Sequence, residues 1–318
     1  MLPEIIIVLA VIIVAVALVV AFRYLSWRSG ILHALREGSQ IADTRIGPVE
    51  YVLKGDAGPV TLFLHGMPGG YNQAPAQQRE GFRLLAPSRP GYLATPLEIG
   101  RTPEEQSRAY EALLDTLGID KVLVMGASGG GPSAVAFAAM YPDRTDGLIL
   151  LEAVTQSFPN EGKIMPVLRS DFLYWLAVSA IWKIAGPRGL IAAQVPAKSN
   201  QLRILDNPAR LADFERVVWS IWPMSLRLEG YRNDLAQIND LSLPASQVSS
   251  PTLIIHGTAD ALVPFEQSET LANQIAGATL HAVEGADHMM PISHRDELDS
   301  VIGDFLAAIS MNAADLPT

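Results

Sequence analysis

Residues 121–140, KVLVMGASGGGPSAVAFAAM, decide the fold. A short β-branched run ends at Gly126-Ala127-Ser128-Gly129-Gly130, and an Ala-rich helical pattern follows at once. This reads as strand, sharp turn, helix. Small residues on both sides of Ser128 let the backbone take a strained turn that lifts the hydroxyl above the end of a sheet. The peptide N–H after the serine then faces the same space. Glycine-flanked serines also occur in ordinary turns and in phosphate-binding loops, so the flanking strand and helix carry the reading of G-x-S-x-G as a nucleophile elbow. A dinucleotide loop would need G-x-G-x-x-G, a spacing that Ala127 and Ser128 break.

Working outward, the alternation continues on both sides. Upstream, 49–54 and 60–64 are strand-like runs separated by Gly55-Asp56-Ala57-Gly58-Pro59, which makes them a hairpin candidate. The second run enters His65-Gly66-Met67-Pro68-Gly69-Gly70, a plain turn or a loop that presents a backbone N–H to the site. Another strand is expected at 82–86. Thr102 as N-cap, Pro103 at the first helical position and Glu104 and Glu105 in the first turn predict a helix that ends around Gly118. Downstream, 147–151, 251–255 and 279–283 are apolar strands. Strands alternating with helices predict an α/β fold with a mostly parallel central sheet flanked by helices, its core built from residues 48–153 and 251–310. Residues 311–318 read as a tail.

Residues 154–250 break the alternation. Two stretches, 171–185 and 208–240, are helical in character, and the interval holds Trp175, Trp182, Trp219 and Trp222 of the chain's five tryptophans. This reads as a helical cap inserted in the core. The tryptophans either pack cap against core or line an apolar substrate pocket between them.

Composition narrows the partners. With 23 basic against 33 acidic residues the net charge is −10, and no basic run offers a footprint for a phosphate backbone, so nucleic acid is not expected as a partner. The absence of cysteine removes disulfides, thiolate nucleophiles and Cys-ligated metals.

At the N-terminus, residues 5–22 carry no charge, proline or glycine. As a helix they would reach about 27 Å at roughly 1.5 Å per residue, against a bilayer core of about 30 Å. Residues 1–28 therefore read as a single-pass membrane anchor and 29–47 as a polar linker. A cleaved signal peptide would carry a basic start and a small-x-small site, where this chain has Glu4 and Phe22-Arg23-Tyr24. A buried core helix would show a polar stripe. Arg23, Arg28 and Arg36 follow the apolar run, with Tyr24 and Trp27 suited to an interfacial belt, so the positive-inside rule leaves the rest of the chain in the cytoplasm.

A serine hydroxyl needs a base, and a histidine base needs an acid to fix its tautomer. After an elbow of this kind the acid and then the base follow in chain order. Of the six histidines, His33 lies in the linker, His65 and His256 at strand ends, His281 in a strand and His294 at the last helix. His288 alone sits in a loop after the last strand and is the expected base. Asp260, just past the strand at 251–255, is the expected acid. Its rival is Glu152, at the end of the strand after the elbow; Asp287, beside the base, is expected to point away.

HGMPGG at 65–70, SRPGY at 88–92, GASGG at 126–130, HGTADALVP at 256–264 and GADH at 285–288 together resemble the cap-bearing serine hydrolases of the α/β-hydrolase superfamily, in that family's order. The resemblance implies an α/β-hydrolase fold with a triad of Ser128, Asp260 and His288, an oxyanion hole from the N–H groups of Met67 and Gly129, and no metal or cofactor. It implies an esterase- or lipase-like carboxylic ester hydrolase acting on a small-molecule ester, and the apolar cap and nearby bilayer suit a hydrophobic acyl or alkyl ester. Serine at 128 argues against the epoxide hydrolases and haloalkane dehalogenases, which use aspartate. Proline iminopeptidases have HGGPG where this chain has HGMPG, which argues against aminopeptidase activity. Aminopeptidase activity with the same triad, carbon–carbon bond hydrolysis and a non-catalytic binding protein on the same fold are the remaining alternatives.

Overall fold

The computed structural model describes residues 2–78, 81–157 and 166–314. It separates into two compact units, residues 1–39 and 40–318. The first unit is one helix, α1 (Leu2–Glu37). Its apolar side chains are in the open, Ile13 67% and Phe22 73% exposed, so this is not a core helix. By length and composition α1 could cross a membrane, and a signal sequence would pass the same test. The expected linker differs from the structure: helix continues through residues 29–37, where Ile31, Leu32, Ala34, Leu35 and Arg36 favour helix and no proline interrupts it.

In the second unit an eight-stranded sheet has the order β1-β2-β4-β3-β5-β6-β7-β8. These are β1 (Gln40–Asp43), β2 (Pro48–Lys54), β3 (Val60–Leu64), β4 (Arg83–Pro87), β5 (Val122–Ala127), β6 (Thr145–Leu151), β7 (Thr252–Gly257) and β8 (Thr279–Val283). The β1·β2 and β2·β4 pairs are antiparallel and the rest are parallel. Strands β2 and β3 do not form the expected hairpin, because β4 lies between them. Strand β3 is buried at all five positions. A strand covered on both faces belongs inside the sheet between parallel neighbours, here β4 and β5.

Helices cover the sheet: α2 (Pro103–Leu117) and α3 (Gly131–Met140) early in the chain, α8 (Glu266–Gln274), α9 (Met290–Ser293) and α10 (Arg295–Ala314) late. Helix α2 starts as its sequence demands. Thr102 accepts the Glu105 N–H, the Glu105 carboxylate returns to the Thr102 N–H, and Gly118 closes the helix with φ +63. The core packs Leu62, Leu64, Val122, Val124, Leu148 and Leu150 of the central strands against Leu113, Val135 and Phe137 of α2 and α3.

The insertion between β6 and β7 holds α4 (Asp171–Gln194), α5 (Lys198–Leu205), α6 (Pro208–Ser220) and α7 (Leu228–Ile238). Helix α4 is kinked at Gly186, φ +63, just before Pro187. Buried polar groups tie the cap to the core. Arg89 makes two hydrogen bonds to Asp234 of α7, at 3.0 and 2.5 Å, and Tyr92 Oη donates to the same carboxylate at 2.5 Å.

Candidate active site

Ser128 stands at the C-terminal end of β5 with φ +48, a left-handed conformation that a non-glycine residue adopts only under constraint. The constraint is close packing. A side-chain carbon at Gly126 would lie 2.6 Å from Ala134 Cβ, and one at Gly130 only 2.1 Å from the Leu64 carbonyl oxygen. Glycine at both places lets α3 nest on the sheet while the turn holds Ser128 up.

The loop after β8 brings His288 to the serine, with Nε2 3.1 Å from Ser128 Oγ. Its Nδ1 lies 2.6 Å from Asp260 Oδ2, in the loop after β7. A carboxylate accepts the Nδ1 proton, so Nε2 is left to accept from the serine hydroxyl. Asp260 Oδ1 accepts the backbone N–H groups of Leu262 and Val263 at 2.8 and 3.0 Å. His256 Nε2 donates to the Val263 carbonyl at 3.0 Å and reaches Asp260 Oδ2 as a longer second acceptor at 3.4 Å. Burial alone would raise the Asp260 carboxyl, but the hydrogen bonds from His256 and His288 outweigh it and hold the group well below the usual carboxylate range.

The lowered carboxylate leaves the acid limb of the pH profile to a single proton. A histidine acts as general base only in its neutral form, so kcat/KM falls on the acid side. Asp260 stays ionised throughout that range, so the limb should follow one proton, with a slope of +1 in log kcat/KM down to about pH 4.5. A slope of +2 would show Asp260 titrating as well.

The other two acids lie elsewhere. Asp287 turns to the cap, accepting from Asn200 Nδ2 at 3.1 Å and from the Met289 N–H at 3.0 Å. Glu152, at the end of β6 with φ +35, is buried and makes no hydrogen bond to His288. His65 is committed on both sides. It donates from Nδ1 to the Gly66 carbonyl at 2.8 Å and accepts the Arg89 N–H on Nε2 at 2.9 Å. Burial, then the charge of Arg89, pushes its pKa well below the ordinary imidazole value. His281 meets Glu297 and His294 meets Ser293, both at 2.9 Å. Among the described residues no group of three His, Asp or Glu side chains is placed to hold a metal ion.

The loop after β3 packs on the elbow. A side-chain carbon at Gly66 would lie 3.2 Å from Ser128 Cβ, and one at Gly129 would lie 3.3 Å from the Met67 nitrogen. The peptides of Met67 and Gly129 are thus neighbours beside the hydroxyl, where two N–H donors can receive a negative oxygen. Arg227, fully buried at the start of α7, secures this loop to the cap. It donates to the Gly69 carbonyl at 2.9 Å and to Asn72 Oδ1 at 3.1 Å, and also to the carbonyls of Pro223 and Ser220. Burial lowers its pKa to about 10, still a cation at neutral pH.

Ser128 and His288 open into a cavity of about 410 Å³, within the range of small-molecule sites. Its apolar wall comes from Met67, Val217, Val218, Ile221, Val263 and Met289, with Tyr174 above. None of the four cap tryptophans lines it. Trp222 is fully buried and donates its indole N–H to the Asp171 carbonyl, Trp175 tilts on Phe172, Trp219 meets Tyr174 edge-on and Trp182 is 36% exposed. Trp219 and Trp222 fasten the end of α6 and the loop after it to α4, and aliphatic and tyrosine neighbours face the site. Sequence reasoning missed these neighbours because the turn of a cap helix about its axis depends on the core beneath it. Arg227 and Asp234 did leave a signal, since both fall on the buried stripe of α7 with Gly230 and Ile238.

A family model described as alpha/beta hydrolase fold matches residues 59–295. The chain is an alpha/beta hydrolase. It is 31% identical to a protein of Bacillus subtilis named an uncharacterized hydrolase, YcgS, over 77% of this chain and 89% of that one. It is 27% identical to a 2-hydroxy-6-oxononadienedioate/2-hydroxy-6-oxononatrienedioate hydrolase of Klebsiella pneumoniae, over 80% and 88%. Among solved structures, an alpha/beta hydrolase fold protein from Nakamurella multipartita superposes with a TM-score of 0.74 at 32% identity, covering 84% of this hydrolase and 98% of its own chain.

Proposed function

We propose that this alpha/beta hydrolase cleaves uncharged carboxylic esters through an acyl-enzyme on Ser128. The observation that carries the reading is the relay from Ser128 through His288 to Asp260 at the mouth of an apolar cavity. His288 takes the Ser128 proton as Oγ attacks the ester carbonyl, and the N–H groups of Met67 and Gly129 receive the oxyanion. The tetrahedral adduct collapses, the alcohol leaves with the proton from His288, and the acyl group stays on Ser128. Water, deprotonated by the same imidazole, then attacks, and the acid departs as Oγ regains its proton.

A second reading comes from relatives whose named substrates are oxo-dicarboxylates. Two carboxylates call for cations. Among the described residues the one guanidinium lining this cavity, Arg295, already pairs with Asp299 at 2.7 Å, and the same wall adds the carboxyl of Asp213. That balance favours an uncharged substrate. On a panel of p-nitrophenyl esters, aminoacyl amides and 2-hydroxy-6-oxo dienoates, kcat/KM should be at least tenfold higher for the best ester. Faster cleavage of a dienoate would reverse the assignment.

We infer also that α1 anchors the enzyme in a bilayer with the catalytic unit in the cytoplasm. Its apolar surface and the arginines that follow support this. The full chain should remain in the membrane pellet after alkaline carbonate extraction, and residues 40–318 should not. A soluble protein shortened by cleavage after the apolar run would refute anchoring.

A further inference from the structure

Glu152 is a buried ionisable group that the catalytic cycle leaves unused. It follows β6 in the layer of strand ends that also carries Ser128 and Asp260, and its backbone is held at φ +35 with the N–H donating to the Ile255 carbonyl at 3.0 Å. The residue is 4% exposed, and that remnant faces the cavity shared by Ser128 and His288. Among the described residues its carboxyl has no hydrogen-bond partner, and Oε2 is fully enclosed without one. A buried polar group in that condition lowers stability, and a strained non-glycine backbone adds to the loss. A leucine would fill the same space without the unsatisfied polar group, under the same backbone strain.

The chemistry of the isolated carboxyl follows from its surroundings. Burial, and then the charge of Asp260, pushes its pKa well above the usual carboxylate range. Buried with no cation and no N–H donor beside it, the carboxyl is better accommodated with its proton than as an unpaired charge, which leaves one O–H to donate and no acceptor supplied by the described residues. A neutral carboxylic acid in an apolar cavity can recognise an uncharged acceptor oxygen, and it gives an anionic substrate nothing that a cation would.

We propose that Glu152 is a specificity residue that donates a hydrogen bond to a second oxygen of the substrate, so that the enzyme prefers esters bearing a keto, hydroxy or ether oxygen besides the scissile carbonyl. This rests on the ester-hydrolase reading and names the substrate class within it.

The test compares the full chain with Glu152→Gln, whose amide still donates, and Glu152→Leu, which cannot. Substrates are p-nitrophenyl hexanoate and its oxo and oxa analogues, with the oxygen moved stepwise along the acyl chain. The wild type should favour one oxygenated ester over the plain one by about tenfold in kcat/KM, mostly through KM, the scale of one hydrogen bond. Glu152→Gln should keep that ratio within about threefold, and Glu152→Leu should bring it to about one while raising Tm by a few degrees. An equal ratio in wild type and Glu152→Leu, with all proteins folded and labelled by a fluorophosphonate, overturns the inference and leaves the ester reading standing. Water in place of substrate as the acceptor gives the same result. Absence of turnover on every ester by the wild type removes both.

Discussion

Ser128→Ala should lower kcat for the best ester by about 10⁵-fold, with the fold intact. The reason lies in the unit formed by the three side chains. His288 Nε2 has no proton to take once Oγ is gone, and Asp260 then orients a base with nothing to activate. What remains is the cavity and the Met67 and Gly129 donors, which would still bind an ester and polarise its carbonyl for attack by water. That residue of catalysis is why the loss is not total. Because the members act together, His288→Ala should fall nearly as far and the double variant no further. Alanine tolerates φ +48 at a cost of about 1 kcal/mol, so thermal unfolding should move little. Fluorophosphonate labelling should disappear with the hydroxyl. Turnover within tenfold of wild type would return the site to a binding role and exclude the acyl-enzyme.

The residues of that unit were legible because each sits where a local pattern breaks. The elbow, the HGMPGG loop and the loops carrying Asp260 and His288 all follow strands, and a strand that stops at small residues is visible without its neighbours. Helix α2 was legible down to its cap, since a capping box is written within four residues. Pairing was not: whether the run at 49–54 meets β3 or β4 depends on which strands are buried on both faces of a sheet that the run itself does not encode. The cap was read as helical but not as a surface. Tyr174 faces the cavity and Trp175 does not, a difference of one residue on α4 that only the packing of the core decides. Glu152 was visible as a candidate acid and its isolation was not, because lack of a partner is a property of everything around it.

Asp234→Ala should destabilise the catalytic unit by about 3–5 kcal/mol, the largest expected effect of any change away from the chemistry. The carboxylate is buried and serves three donors, two from Arg89 and the Tyr92 hydroxyl. Burial opposes the charge on Arg89, and Asp234 more than offsets it, holding the guanidinium firmly protonated. Without Asp234 the cation stays in the interior with no counter-charge, since its remaining side-chain bond, Nε to the His65 carbonyl at 2.8 Å, is to a neutral acceptor. Paired replacement should behave differently. Arg89→Met with Asp234→Leu removes both charges and should lie within about 2 kcal/mol of wild type, because well-packed apolar side chains replace a buried ion pair at little loss. Urea unfolding of the two singles and the double gives the coupling directly. A single Asp234→Ala within 1 kcal/mol of wild type would mean that water reaches Arg89. The double variant carries a further expectation for function: Arg89 also holds the His65 backbone at the root of the oxyanion loop, so stability should return without full kcat. Cap and oxyanion loop are joined through Arg89 and Arg227 on two independent routes, which makes the position of the cap a determinant of how well the site stabilises charge, as well as of which ester fits.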